Sequence, residues 1–467
     1  MYNNMSIMHK GSVILSAVAV ALTASLAACS HKGTTAASET SHSLPDTLRV
    51  VTLYSPTSYF IYRDQPMGYD YTLVDSLARQ KHMVLDLKVA PSLSAAVAML
   101  DSGKVDLIAS EVPVTEHYLK YVLPCGPENL TSQVLVQPKI QGQAPITDVT
   151  ELVGREVFVE KDSKYLRRLN NLNDELGGGI EIREVDGDTL ITEDLISMVA
   201  DGKIPLTVVD SDIARLNRTY YPGLDIDVPV SLPQRGAWAV AQGKQWLADS
   251  IDAWFAQASP QETNKELLKQ LYEQSKYGPY ARFDFSKGYI SRFDHLFKKY
   301  APAIGWDWRL MAAQAYVESR FKPNARSWAG ARGLMQIMPG TARGYRTSVS
   351  SLSNPETSVK VASRLINDLD SYLVKYVPND SERLKFVIAA YNVGIAHVYD
   401  AIALARKYGL DPQVWDGNVS KAMLMKMNPK YYNDPVVKYG YCRGTETVNY
   451  VKGITNFYEN ARRMIEA

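Results

Sequence analysis

Four short clusters in the last third of the chain bring carboxyl, amide, hydroxyl and phenol groups together with glycines. They are Glu318-Ser319-Arg320-Phe321, Gly330-Ala331-Arg332-Gly333-Leu334-Met335-Gln336-Ile337-Met338-Pro339, Ala390-Tyr391-Asn392-Val393-Gly394 and Glu446-Thr447-Val448-Asn449-Tyr450-Val451. Glu318 is the candidate acid and base. In the helical stretch from Asp307 to Phe321, Met311, Ala315 and Glu318 recur at i, i+4 and i+7 and share a face. A carboxyl at the edge of an apolar face loses hydration, which disfavours its charged form and raises its pKa, as a general acid near neutral pH requires. On composition alone, Glu318 reads first as a solvated glutamate at a helix end beside Arg320, and it is the three downstream clusters that favour the catalytic reading.

The elements that must hold these clusters are mostly helical. FDHLFKKYAPAIG precedes WDWRLMAAQAYVESRF, with Asp307 as the expected N-cap. Further helical stretches cover VKVASRLINDLDSYLVKY, RLKFVIAAYNVGIAHVYDAIALARKYG and ETVNYVKGITNFYENARRMIEA. The interval 408–444 carries Asn428-Pro429, Asp434-Pro435 and several tyrosines, and reads as a long ordered loop over a groove.

The four clusters, in this order, resemble the soluble lytic transglycosylase fold of the lysozyme superfamily over about 287–467. That resemblance implies cleavage of the MurNAc-β-1,4-GlcNAc bond of peptidoglycan by one carboxyl. Glu318 would protonate the leaving glycosidic oxygen and then accept the proton of the C6 hydroxyl of the same N-acetylmuramic acid, leaving a 1,6-anhydro end. An intramolecular nucleophile gains from proximity, so a second activating carboxylate is unnecessary, in contrast to the usual glycosidase pair. The resemblance further implies that Ser327 orients the acetamide or the acid, Gln336 offers an amide to the sugar, and Met338 packs beside the cleft. Tyr391, Asn392 and Tyr450 would line the groove, and Glu446 would support the acid. For Ser327 a plain turn serine, and for Glu446 a glutamate favoured by a helix N-terminus, remain alternatives. Trp306, Trp308 and Trp328 suit either sugar stacking or the core. A goose-type hydrolase on the same fold and a non-catalytic muropeptide receptor are the competing functions.

Ahead of this part, strand-like and helix-like runs alternate from Leu48: LRVVTL, YDYTLVDSLARQK, MVLDLKVA, SLSAAVAMLDSGK and VDLIAS, with a less clear recurrence over 155–225. Such alternation predicts an α/β fold with a largely parallel sheet. Gly68-Tyr69-Asp70-Tyr71, Leu100-Asp101-Ser102-Gly103-Lys104-Val105-Asp106, Asp201-Gly202-Lys203 and Val209-Asp210 resemble the family 3 extracellular solute-binding proteins over 47–275. The resemblance implies a periplasmic-binding-protein-like module of two lobes, crossing near 134–139 and 228–238, with a ligand cleft that includes Asp70, Tyr118 and Asp210. The family's amino-acid binders grip the ligand carboxylate with an arginine where this chain has Tyr118, which argues against a free amino acid. Asp210 matches a position that meets an ammonium group. A muropeptide or stem peptide is the natural candidate ligand.

The start, 1–28, reads as a lipoprotein signal peptide: a weakly basic His9-Lys10, an apolar run, then Leu26-Ala27-Ala28 before Cys29. Cys29 is the expected lipidation site, and no aspartate follows it, which favours an outer-membrane anchor facing the periplasm. Residues 29–46 read as a flexible tether and 276–286 as a linker. With 51 basic against 50 acidic residues, the chain has no electrostatic footprint for nucleic acid. No metal-ligand spacing, phosphate loop or dinucleotide fingerprint appears, so neither metal nor cofactor is expected. Cys125 and Cys442 fall in different parts and read as unpaired thiols.

Overall fold

The computed structural model describes residues 44–142, 144–186, 190–273, 285 and 288–466. The signal peptide, Cys29, most of the tether and all of the 276–286 linker except residue 285 lie outside the described residues.

The first part holds β1 (Thr47–Leu53), β2 (Phe60–Tyr62), β3 (Gln65–Met67), β4 (Val84–Ala90), β5 (Leu107–Pro113) and β6 (Val122–Thr131). They are followed by β7 (Gln133–Pro138), β8 (Glu156–Glu160), β9 (Glu181–Val185), β10 (Thr207–Asp210), β11 (Leu224–Asp225) and β12 (Gln234–Ala241). Two sheets form two lobes. One has the order β4-β1-β5-β12-β6 and the other β11-β7-β10-β8-β9. Both are mixed. β1 runs parallel to β4 and β5, and β8 parallel to β9 and β10. The strands adjoining each crossing, β12 and β7, run antiparallel to their neighbours. β1, β5 and β7 carry runs of buried residues, as expected where helices cover both faces of a sheet, while β8 alternates, with Val157 and Val159 buried. The chain crosses between lobes at Ser132 and again between β11 and β12. The first crossing precedes the expected 134–139, because Val134, Leu135 and Val136 are already buried in the second lobe's core. Ser132 is pinned there: its N–H donates to Ser211 Oγ at 3.3 Å, and its carbonyl accepts from Ser211 N–H at 2.7 Å.

The second part is helical. Helices Trp308–Ser319, Pro355–Leu373, Asp380–Val393, Ile395–Lys407 and Gly444–Met464 surround one apolar core. Asp307 caps the first of them, accepting from Arg309 N–H at 2.9 Å. That helix is not one-sided. Leu310, Met311, Ala312, Ala313 and Ala315 are all buried, so it is a central helix of the core. The stretch 408–444 departs from the expected loop. It folds into short helices, including Ser420–Met425 and Pro429–Tyr432. Trp415, Val419, Ala422 and Met423 anchor it in the core, because their apolar area stabilises the fold more than an exposed loop would. Cys125 and Cys442 are both free and buried, with the Cys442 thiol 3.5 Å from Met423 Sδ.

Candidate active site

Glu318 lies in the last turn of helix Trp308–Ser319, which ends in the left-handed residue Arg320. The next residue, Ser319, fixes that turn: its hydroxyl donates to the Leu334 carbonyl at 2.7 Å, tying the helix to the Gly333–Met338 turn. Gly333 is required in that turn, since a Cβ there would sit 2.1 Å from the Leu352 carbonyl oxygen. The Glu318 side chain is 5% exposed. Burial raises its pKa. The Arg63 charge and hydrogen bonds from Tyr450 and Arg63 oppose the rise without cancelling it. Tyr450, on helix Gly444–Met464, donates to Glu318 Oε1 at 2.6 Å.

The remaining partner comes from the two-lobed part. Strands β2 and β3 form a hairpin whose tip, Arg63-Asp64, enters the groove in front of Glu318. Arg63 Nη2 donates to both Glu318 oxygens, at 2.9 and 3.1 Å. Its Nη1 donates to the Gln336 carbonyl at 2.6 Å and its Nε to the Asn392 carbonyl at 3.2 Å. The Arg63 backbone N–H donates to the Val393 carbonyl at 3.0 Å. Phe60 and Tyr62 rings lie 6.1 and 5.8 Å from that of Trp328. Arg63 and Asp64 have φ of 50° and 58°. This left-handed pair suits a two-residue hairpin turn but is usually Asn-Gly. Non-glycine residues there cost of order 1 kcal/mol each, and the bonds into the groove offset that cost. The segment that follows β10 makes a further contact with the helical part, its Tyr220 packed against the first lobe's core. The Arg443 guanidinium stacks 3.6 Å from the Tyr220 ring centroid and donates to Asn217 Oδ1 at 2.6 Å. A cavity of about 30 Å³ lies between the hairpin, Tyr220 and the helical part.

The residues singled out in the sequence divide by location. Glu318, Tyr391 and Tyr450 surround the Arg63 guanidinium, with the Tyr391 ring centroid 5.6 Å from it and the Tyr391 hydroxyl donating to the Met335 carbonyl at 2.7 Å. Met338 is buried and lines the seat of Arg63 and Asp64. Gln336 is corrected. Its amide is buried and donates inward to the Ala325 and Gly333 carbonyls at 3.1 and 2.8 Å, so the backbone carbonyl, not the amide, faces the groove. The cause is its left-handed backbone, φ 48°, which turns the side chain into the fold. Asn392 Oδ1 accepts from Thr447 at 2.9 Å, bracing helix Gly444–Met464. Ser327 closes its own turn, its hydroxyl accepting from Ala331 N–H at 3.0 Å. Glu446 lies 3.4 Å from the Tyr220 hydroxyl. Of the three tryptophans, Trp306 and Trp308 belong to the core, while Trp328 meets the hairpin.

In the module, each of the three expected cleft residues has partners within the chain. Asp70 is buried and accepts from the Trp238 indole at 2.7 Å, so its carboxylate is sealed inside the first lobe rather than open to a cleft. Tyr118 packs against the apolar cluster of the same lobe. Asp210 ends β10 in the second lobe, where Lys164 Nζ lies at 2.5 Å and the Tyr165 hydroxyl at 3.2 Å. Its ammonium partner in this structure is therefore Lys164 of the chain itself. Nearby, Glu111 has its carboxyl pushed up to about 7 by burial and by Asp212, Asp70 and Asp210. The residues that the sequence reading passed over are Arg63 and Asp64, whose roles depend on a contact across some three hundred positions of sequence. Among the described residues no group of His, Cys, Asp and Glu could hold a metal ion, and no helix is long and apolar enough to cross a membrane.

A buried single glutamate on a lysozyme-like helical domain, preceded by a two-lobed binding fold, defines a modular transglycosylase-type protein. The family comparisons agree in both halves. Residues 48–274 match bacterial extracellular solute-binding proteins, family 3, and residues 295–413 match the transglycosylase SLT domain. The chain is 33% identical over 419 residues to a membrane-bound lytic murein transglycosylase F of Desulfosudis oleivorans, covering 88% of each. A protein of the same name from Shewanella pealeana is 31% identical, with 89% of this chain and 85% of its own covered. The chain belongs to the membrane-bound lytic murein transglycosylase F family.

Proposed function

We propose that this protein is a lytic transglycosylase that cleaves peptidoglycan between N-acetylmuramic acid and N-acetylglucosamine, leaving 1,6-anhydro ends. The observation that carries the reading is Glu318: a carboxyl 5% exposed, raised in pKa by burial and hydrogen-bonded by Tyr450, at the head of a groove. Such a group donates a proton to a glycosidic oxygen and takes one back from the C6 hydroxyl. Tyr450 orients the carboxyl, and the Gln336 and Asn392 carbonyls offer acceptors to sugar hydroxyls.

In the state described, the hairpin opposes this chemistry in two ways. It fills the groove, and the Arg63 charge favours the ionised form of an acid that must start protonated. The module holds the helical domain at two places, through Arg63 of the hairpin and through Asn217 and Tyr220 of the segment between β10 and β11. A ligand that draws the lobes together is expected to release one of these contacts. A muropeptide or stem peptide is the candidate, with Asp210 as its ammonium partner in place of Lys164. We place the chain in the outer membrane, facing the periplasm and held by a lipid on Cys29, with the module over 47–275 and the enzyme over 287–467.

Mass analysis of digested sacculi tests the activity. Products lacking one water, and their loss in Glu318→Gln, are expected. Reducing ends alone would instead make the chain a hydrolase of the goose-type class. No lysis even from a variant with the hairpin released, Arg63→Ala, would make it a receptor.

A further inference from the structure

Beside Arg63, the hairpin fills a second seat. Asp64 Oδ2 and Oδ1 accept from the backbone N–H groups of Ile395 and Ala396, each at 3.3 Å. These are the first two residues of helix Ile395–Lys407, whose amide dipoles favour an anion. The Ile61 carbonyl oxygen lies 2.9 Å from His397 Nε2. His397 is fully buried, and its tautomer is set from behind. Lys426 Nζ donates to His397 Nδ1 at 2.7 Å and to Asp400 Oδ2 at 2.6 Å. A lysine ammonium has no acceptor, so Nδ1 accepts and Nε2 carries the proton toward Ile61. Asp400 is itself held by the N–H groups of Lys438 and Tyr439 at 2.9 and 3.0 Å. The seat also has its space built in. A Cβ on Gly394 would lie 2.7 Å from Asp64 Oδ1.

Three donors, two at a helix start and one oriented by a buried network, with a carboxylate and a carbonyl already seated on them, form a recognition surface rather than a chance contact. Its occupants arrive on the same hairpin that closes the groove before Glu318. Arg63 and Asp64 are consecutive, so their Cα atoms are about 3.8 Å apart, and the two share one pocket lined by Gln336, Tyr391 and Gly394. In a glycan of alternating N-acetylglucosamine and N-acetylmuramic acid, only muramic acid bears a carboxyl on its side chain. We propose that this seat is a carboxylate subsite of the substrate groove. Once the hairpin leaves, the Ile395 and Ala396 N–H groups take a carboxylate borne on the muramic acid side chain, and His397 Nε2–H takes a neighbouring carbonyl oxygen. The proposal rests on the catalytic reading of Glu318. The carboxylate has two sources: the lactyl group of a strand stripped of its peptides, or a free carboxylate of the stem peptide where the lactyl group is an amide.

The test uses the full chain carrying Arg63→Ala, Asp64→Ala and Glu318→Gln, so that the seat is empty and substrate is bound without turnover. Four probes are compared by calorimetry: peptide-bearing strands, amidase-stripped strands, and each of these with its carboxyls converted to methylamides. Conversion is expected to weaken binding of one natural strand roughly tenfold, the worth of charge-assisted bonds to an anion, and the affected strand identifies the source. Ile395→Pro, added to this background, deletes one donor at a helix position where proline is tolerated. It is expected to reduce the charged strand's affinity toward that of its methylamide and to leave the methylamide unchanged. Equal Kd for charged and converted strands of both kinds overturns the proposal. So does an Ile395→Pro loss that is the same on all four probes. Should Ile395→Pro fail to fold, the carboxyl conversion alone decides. Failure of the catalytic reading looks different: protein with Glu318→Gln would still release anhydro products, whatever the Kd values.

Discussion

Arg63 and Glu318, 255 residues apart, share a buried ion pair in which one guanidinium nitrogen reaches both carboxylate oxygens. The arginine belongs to the binding module and the glutamate to the enzyme, so the pair couples domain docking to the state of the acid. Truncating Arg63 removes the docking charge and its bonds to Gln336 and Asn392. Arg63→Ala is expected to raise the rate of anhydromuramyl release by about tenfold or more, since each ~1.4 kcal/mol taken from the closed state is a factor of ten in its population. Adding Glu318→Gln should lower that rate by roughly 10²–10⁴. Product release from labelled sacculi measures both. An Arg63→Ala rate equal to that of the unmodified chain would show that the hairpin does not limit access.

The same pair sets a pH dependence. Burial raises the Glu318 pKa, and Arg63 pulls it part of the way back. The Arg63 charge and hydrogen bonds therefore hold this pKa below that of an equally buried Glu318 without them. The stabilisation that this ion pair gives the closed state is complete above the pKa Glu318 would have without Arg63 and is lost as pH falls through the docked pKa. The unmodified enzyme should gain activity on acidification over that window. In Arg63→Ala the acid needs only to be protonated, so its alkaline limb should move to higher pH. Profiles of kcat/KM against pH for the two proteins check this. Coincident alkaline limbs would remove Arg63 from control of the acid.

Much of this was legible in the sequence because it is local. Glu318 could be placed on an apolar helix from spacing, and the alternation of strands and helices announced an α/β architecture, while the two lobes were implied only by the resemblance to family 3 solute-binding proteins. Gln336 was misread because its role turns on a left-handed φ, which motif spacing does not reveal. The stretch 408–444 was misread because its prolines and tyrosines hid the buried Trp415, Val419 and Met423. Asp70 was legible as a helix-start carboxylate, but its Trp238 partner lies 168 residues on. The hairpin tip had no local mark: Arg-Asp is not a usual two-residue turn, and what stabilises it lies in another domain.

Lys426 is fully buried, between Asp400 and His397. Its removal leaves the Asp400 carboxylate without its cation. Breaking one side of a buried pair costs about 3–5 kcal/mol. Lys426→Met should therefore lower the midpoint of unfolding of the helical domain. It should also loosen the hairpin, because His397 loses the donor that fixes its tautomer. Denaturant titration and trypsin cleavage within 60–67 read the two effects. Unchanged stability would mean that Asp400 is satisfied by the Lys438 and Tyr439 N–H groups alone.

Tyr450 is the partner of Glu318 that stays when the hairpin leaves. Its hydroxyl is 2.6 Å from Oε1, and that bond holds the carboxyl in one rotamer facing the groove. A hydrogen bond to a charged group contributes about 1.5–3 kcal/mol. Tyr450→Phe keeps the ring, which is buried in the core, and removes only that bond. In an Arg63→Ala background its kcat should fall by roughly tenfold or more, with KM little changed, since the phenol orients the acid rather than the sugar. The bond also lowers the Glu318 pKa, so its loss should move the alkaline limb upward again. A change in KM with kcat intact would instead assign Tyr450 to saccharide binding.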